Sequence, residues 1–363
     1  MKIVGTIVEY NPLHTGHIHA LQEIKRQSKA DLIVAVLSGN FTMRGDLSLF
    51  DKFEKTRQAL KSNIDIVIEL PFLYAVQNSD AFARNAIELL HLANVKEVWF
   101  GSEGNASELY KSYYEKWITS EAQQQIKYLM QQGKSYKEAT FSIIDLPSND
   151  LLGFCYYKAI QEKNYPMTVH TIKRIGSFSS LEAKEFASAK AIRTNLELMK
   201  AYCPDYVNRN LIRDANQLFP YLKFTILNTS VLDLKTIFFV EEGIEHRLKG
   251  ISKINSLDEL ISFLSTKRYT NSRIQRILVY ILFQIKKNEV EELHKPKFLR
   301  VLGYSPLGKL YLNEIKKKVT LYTNIKEGLH PVLDIELKIT KLLDLIYSSN
   351  TLKEEQGKPQ EII

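Results

Sequence analysis

The chain has 363 residues, 45% of them hydrophobic and 25% charged, and carries a formal net charge of +8. That is ordinary globular composition, at a length where a single core usually gives way to two domains. No apolar run approaches the roughly 20 residues that cross a bilayer, and the opening residues read as neither signal peptide nor anchor. The two cysteines, Cys155 and Cys203, fit no disulfide framework or metal spacing, which points to a reducing, cytoplasmic setting. The basic excess suits a polyanionic partner, though many basic proteins bind none.

Four β-rich runs punctuate the first hundred residues: KIVGTIV (2–8), DLIVAVLS (31–38), IDIVIEL (64–70) and VKEVWFG (95–101). They are nearly continuous apolar stretches, as expected of strands covered on both faces. Helical patterns fill the gaps at 17–29, 52–62 and 79–93. This alternation predicts an α/β fold, a Rossmann-like doubly wound parallel sheet. Residues 105–147 look helical and polar, and a last βα-like piece follows (MTVHTIKRIG, then EAKEFASAKAIRTNL). From about 200 the strand signals fade. The predicted division is therefore a doubly wound α/β domain at 1–200, an α-rich C-terminal domain at 201–350, and a frayed polar tail at 351–363.

Doubly wound sheets bind ligands beyond the carboxyl ends of their strands. Here those ends carry VEYNPLHTGH, SGNFTMRGD, ELPF and FGSEGN. In the first, Pro12 turns the chain out of the strand, and Gly16 lets backbone approach a ligand. His17 then falls in the first turn of a helix, where free N–H groups and the dipole attract phosphate. His14 and His17 could donate hydrogen bonds to phosphate oxygens and to charge developing at phosphorus. An anionic nucleophile needs only positioning and charge stabilisation there, so the pattern suits nucleotidyl transfer. Two other readings stay open: histidines that merely cap the corner, or a metal-binding pair. No GxxxxGK[ST] and no GxGxxG after the first strand is present.

The other loops point to the same pocket. Arg44 could reach a phosphate or a carboxylate, or simply pair with Asp46. Gly101 ends the fourth strand where a purine or ribose could lie on bare backbone, and a tight turn is the alternative. Ser188 opens a helix whose N–H groups, with Arg193, could bind an anion. No protein metal site is evident.

HxGH at the end of the first strand, with a late S-x-x-x-I-R helix start, resembles the HIGH nucleotidyltransferase superfamily. GTIVEYNPLHTGH, SGNFTMRGD, DIVIELPF, FGSEGN, SNDLLG, SAKAIR, TKRYTNSRIQR and RVLGYSP resemble, in that order, the tRNA(Met) cytidine acetate ligase family. The resemblance implies two steps. Acetate attacks the α-phosphate of ATP to give acetyladenylate, and the acetyl group passes to N4 of the wobble cytidine of elongator tRNA(Met), giving N4-acetylcytidine. It also implies an ATP site made of Ile7, Val8, Glu9, Tyr10, Asn11, Pro12, Leu13, His14, Thr15, Gly16, His17, Ile18, His19 and Ala20, with Gly101, Asn149 and Arg174. Mg²⁺ is expected to accompany the nucleotide. The chain departs from the family pattern at Met43, where Gln is usual, at Leu47-Ser48 for Pro-Ala, and at Asp150 for a second Asn. It has no KMSKS-like loop.

Residues 265–287 hold six basic side chains and no acidic one. Ile274, Ile277, Leu278, Ile281 and Ile285 form the buried stripe of a helix, and Arg273, Arg276 and Tyr280 are expected together on another side. A basic face with an aromatic could hold phosphates and stack a base; a solvated helix face is the alternative. Lys267, Arg268, Arg273 and Arg276 are the candidate tRNA contacts. No membrane contact or protein partner is expected. Two further functions remain open: a small-molecule nucleotidyltransferase, and a non-catalytic tRNA-binding protein with a vestigial nucleotide pocket.

Overall fold

The four apolar runs fold as strands β1 (Ile3–Val8), β2 (Leu32–Ser38), β3 (Ile66–Leu70) and β4 (Glu97–Ser102). The computed structural model describes residues 1–105, 107–134, 136–144, 146, 148–173, 187–266, 269–293 and 297–361. β1 to β4 pair in parallel, and β5 (Thr168–Lys173) joins in parallel beyond β4. In β2 all residues of LIVAVLS are buried. Leu32, Val34 and Val36 enter one hydrophobic cluster, and Ile33, Ala35 and Leu37 enter another on the opposite face. Burial on both faces is why the run reads as continuous rather than alternating.

Helices Thr15–Ser28, Lys52–Lys61 and Ser79–Leu92 occupy the connections. Two have ordinary side-chain caps: Asp51 accepts from the N–H groups of Phe53 and Glu54, and Asn78 from that of Ala81. The sheet order is β5-β4-β1-β2-β3-β6-β7. From β1 the chain winds outward to β2 and β3 on one side, and to β4 and β5 on the other. The crevice between β1 and β4 is thus the switch point where such sheets hold ligands, and the HxGH loop leaves β1 at that point.

The C-terminal half corrects the predicted division. Helices Phe219–Asn228, Val231–Thr236, Ile244–Leu248, Leu257–Leu264 and Asn271–Leu282 form the expected helical part. The chain then returns to the sheet, as β6 (Phe298–Tyr304) pairs antiparallel with β3. β7 (Thr320–Tyr322) and β8 (Gln360–Glu361) pair in parallel with β6. Residues 201–350 are therefore not one helical unit, and 351–361 is not a frayed tail. Thr351–Gln356 is helical, and Glu355 on it is fully buried. The centre of β6 carries Arg300, only 1% exposed, and a charge in mid-strand hid the strand from a reading of apolar runs.

Arg300 belongs to a buried ionic cluster that fastens this return. Lys52 Nζ lies 2.7 Å from Glu69, 3.1 Å from Glu336 and 2.5 Å from Glu355, and Arg300 Nη2 lies 3.1 Å from Glu355. Burial pushes the Glu69 carboxyl up to about 8, as a carboxylate among other carboxylates in low dielectric must shift. Among the described residues no helix is long and apolar enough to cross a membrane.

Candidate active site

His14 takes extended backbone (φ −145°, ψ 169°) and caps the Thr15–Ser28 helix. Its Nδ1 accepts the Gly16 N–H at 3.1 Å, and His17 Nδ1 accepts the His14 N–H at 3.3 Å. This is a reciprocal capping box built from two imidazoles in place of the usual hydroxyl and carboxylate. A ring nitrogen that accepts carries no proton, so both histidines hold theirs on Nε2. The rings lie 3.8 Å apart between centroids, tilted by 31°, and Tyr10 meets His17 edge-on at 5.0 Å. The cap thus fixes two Nε2–H donors at a helix N-terminus. The capping reading and the ligand-binding reading of HxGH are two faces of one arrangement.

The loop after β2 locks onto this segment. Phe41 and Leu47 form an antiparallel bridge, and Thr42 and Asp46 bond to each other across the turn at Gly45. Met43 N–H donates to Glu9 Oε1 at 2.7 Å, and Leu49 N–H to Asn11 Oδ1 at 2.9 Å. Lys55, fully buried, ties the loop's two ends together: its ammonium donates to the Ser38 and Gly39 carbonyls at 2.7 and 2.8 Å and to Ser48 Oγ at 3.1 Å. Arg213 reaches in from the second half of the chain to Asn40 Oδ1 at 3.0 Å and the Phe50 carbonyl at 2.8 Å. Burial pushes Glu9 up from the usual carboxylate range and pulls Lys55 down to about 7, each charge partly offsetting the other's shift.

The remaining segments make two separate sets of contacts. Ser188 caps the six-residue helix Ala189–Thr194 through the Ala191 N–H, and Arg193 on that helix donates to the Asn11 carbonyl at 2.6 Å. Arg193 therefore holds the backbone of the HxGH loop, and burial lowers its pKa. Gly101 lies in β4 in register with Ile172. Beyond it, Gly104 N–H donates to Asp150 Oδ2 at 2.8 Å, joining FGSEGN to SNDLLG. Asn149 is in the Ser148–Lys163 helix. Arg174, Lys267 and Arg268 lie outside the described residues.

The basic helix needs correction. Its apolar stripe is buried as expected, but Tyr280 is fully buried too, its hydroxyl near the Val76 carbonyl and Gln77 and its ring against Phe72 and Phe238. It cannot stack a base there. Arg273 pairs with Glu242 at 3.5 Å and lies over the Tyr269 ring. The backbone of Arg276 packs against Gly45 in the loop after β2, its guanidinium lies near the Phe239 ring, and burial pulls its pKa down to about 10.

Comparison with known proteins points to one family. The family described as HIGH Nucleotidyl Transferase matches residues 1–358. The tRNA(Met) cytidine acetate ligase of Geobacillus sp. (strain WCH70) is 35% identical, over 99% of this chain and 99% of that protein. The ligase of the same name from Bacillus subtilis (strain 168) is 34% identical, over 95% of this chain and 92% of that one.

The chain belongs to the tRNA(Met) cytidine acetate ligase family.

The fold agrees with that membership. The crystal structure of Thermotoga maritima TmcAL in apo form I matches with a TM-score of 0.89 at 26% identity, over 100% of both chains. The same protein bound with alpha-thio ATP matches at 0.87, again at 26% identity over 100% of both chains. In this family member, sequence reasoning missed Lys55 and Arg213, which position the loops from outside any motif, and Gln275, which lies within TKRYTNSRIQR and bonds to Asp46. Lys55 alone left a trace, a lysine on the buried side of an amphipathic helix.

Proposed function

We propose that this protein is an ATP-dependent ligase that activates acetate as acetyladenylate and transfers the acetyl group to N4 of the wobble cytidine of elongator tRNA(Met). The reading is carried by one observation. The HxGH cap, with both Nε2–H donors fixed, sits at the sheet's switch point in a chain that aligns end to end with ligases of that name. In the first step an acetate oxygen bonds to the α-phosphorus and pyrophosphate leaves. His14, His17 and the free N–H groups of the helix start stabilise the added negative charge. In the second step N4 bonds to the acetyl carbon, AMP leaves with the acyl–oxygen bond electrons, and N4 loses a proton.

ATP would occupy the loop from Ile7 to Ala20 with Gly101, Asn149 and Arg174. Among the described residues no group of three His, Cys, Asp or Glu is arranged to hold a metal, so Mg²⁺ would arrive on the phosphates of ATP rather than in a protein cage. Lys267, Arg268, Arg273 and Arg276 would contact the RNA, with Arg273 contributing a charge already shared with Glu242. The setting would be the cytoplasm, where tRNA and ATP meet.

The test is acetate-dependent exchange of labelled pyrophosphate into ATP, followed by nucleoside analysis of tRNA(Met). Exchange that needs acetate, and N4-acetylcytidine at the wobble position, are expected. Exchange driven by another small molecule but not by acetate would favour the small-molecule nucleotidyltransferase. RNA binding without any exchange would favour the vestigial pocket.

A further inference from the structure

Arg276 is a half-buried cation with no acid among the described residues to answer it. Its Nε is buried and meets no acceptor among the described residues, and its guanidinium carbon lies 5.8 Å from the Phe239 ring centre. The nearby acids are engaged elsewhere. Glu241 and Glu242 face Arg273 at 4.0 and 3.5 Å, and Asp46 takes Gln275 Nε2 on one oxygen at 2.5 Å and Thr42 Oγ1 on the other at 3.3 Å. Burying a guanidinium without a carboxylate is costly, and here other arginines stand close: Arg273 and Arg44 both push the Arg276 charge toward release.

Arg44 is held beside Arg276 by backbone contact. Gly45 has φ +86°, and a Cβ there would lie 2.8 Å from Arg276 N and 2.8 Å from Gln275 C. Only glycine permits that approach. Arg44 and Arg276 thus stand on neighbouring backbone at the seam between the loop and the helix, near enough for the Arg44 charge to bear on Arg276, next to Met43, whose N–H is bonded to Glu9 of the nucleotide loop. Two mutually repelling guanidinium groups at one seam suit a phosphate group between them, which each fork can grip through paired hydrogen bonds.

We propose that Arg44 and Arg276 form a single phosphate-binding clamp, joining the loop after β2 to the basic helix beside the nucleotide loop. The proposal rests on the ligase reading for its two possible sources of phosphate: a phosphodiester of the RNA, or the pyrophosphate portion of ATP. It differs from a row of independent surface contacts because the two arginines act on the same group. Loss of either should remove most of what both provide.

The experiment compares R44Q, R276Q, R276K and the double variant R44Q/R276Q in the full-length protein. Binding of a tRNA(Met) transcript is measured between 50 and 200 mM salt, and the KM for ATP in pyrophosphate exchange is measured in parallel. Thermal unfolding confirms that each variant is folded, and K341Q, outside both elements, sets the effect of simply removing a surface charge. If the RNA supplies the phosphate, each single glutamine variant weakens tRNA binding about ten-fold and flattens the salt slope by about 0.7, with the KM for ATP unchanged. If ATP supplies it, the KM for ATP rises and tRNA affinity holds. In either case the double variant is little worse than the singles, and R276K, charged but without the fork, recovers only part of the loss. Folded variants with neither constant changed, or losses that multiply in the double variant, would overturn the clamp. Wild-type protein that binds tRNA but catalyses no acetate-dependent exchange would sink the ligase reading while leaving the RNA arm intact.

Discussion

His17 Nδ1 accepts the backbone N–H of His14 at 3.3 Å, so the second histidine of HxGH orients the first. Structural and chemical roles can therefore be separated by choosing the replacement. Asparagine at position 14 keeps a side-chain acceptor for the Gly16 N–H and is among the best N-caps, but it lacks the Nε2–H. His14→Asn should leave stability within about 0.5 kcal/mol while slowing adenylation by about 100-fold or more. His14→Ala should lose about 1 kcal/mol in addition to the same rate. Denaturant unfolding and pyrophosphate exchange on both variants check this, and an Asn variant exchanging at the wild-type rate would remove His14 from the chemistry.

A second prediction concerns SNDLLG. A Cβ at Gly153 would fall 2.3 Å from Tyr110 Oη and 2.5 Å from the Phe100 ring. Both side chains are buried, Tyr110 fully. The added methyl would force the Ser148–Lys163 helix off β4, and overpacking of this kind costs about 1–3 kcal/mol. The same helix carries Asp150, which holds Gly104 beyond β4, so Gly153→Ala should also raise the KM for ATP. A variant of unchanged melting temperature would mean that the helix and strand are not in this tight contact.

How far the sequence alone carries depends on the range of the interactions. β1 to β4 and the helices between them are legible because each is a local apolar pattern, and the HxGH loop is legible because its cap involves only residues 14 to 17. β6 was not, because its central Arg300 is neutralised by Glu355 on a segment 55 residues later. The basic helix was half legible. Its spacing gave the buried stripe, but spacing cannot say that Tyr280 would be roofed by Phe72 and Phe238, or that Arg273 would meet Glu242. Arg213 was invisible as a loop anchor and Lys55 left only its place on a buried helix face, since their acceptors are mostly backbone carbonyls that no motif records.

The C-terminal segment yields a third prediction. Stopping the chain after residue 350 removes the Thr351–Gln356 helix, β8 and Glu355, whose carboxylate faces both Lys52 and Arg300. Truncating one side of a buried charge network costs about 3–5 kcal/mol, and the exposed edge of β6 adds to it. The truncated protein should unfold at markedly lower denaturant and lose activity in proportion, although no residue of the HxGH loop is touched. A shortened protein as stable as the full chain would restore the frayed-tail expectation.

The same cluster predicts a pH dependence. Three carboxylates, Glu69, Glu336 and Glu355, surround two cations, Lys52 and Arg300, so charge balance leaves one proton to be held. Burial raises the Glu69 carboxyl from 4.5 to about 8, with Glu336 and Glu355 adding to the shift and Lys52 opposing it. The folded protein therefore keeps this proton up to about pH 8, whereas the unfolded chain releases it near 4.5. Between those values folding takes up a proton, and stability falls as pH rises. The contribution is complete below about 4.5 and gone above about 8. Glu69→Gln copies the protonated form, so its stability should vary less between pH 5 and 8 than the wild type's, the difference in slope approaching about 1.4 kcal/mol per pH unit. Urea unfolding at intervals across that range decides the matter. Parallel curves for the two proteins would place the extra proton on another member of the cluster, or show that the cluster admits water and holds none.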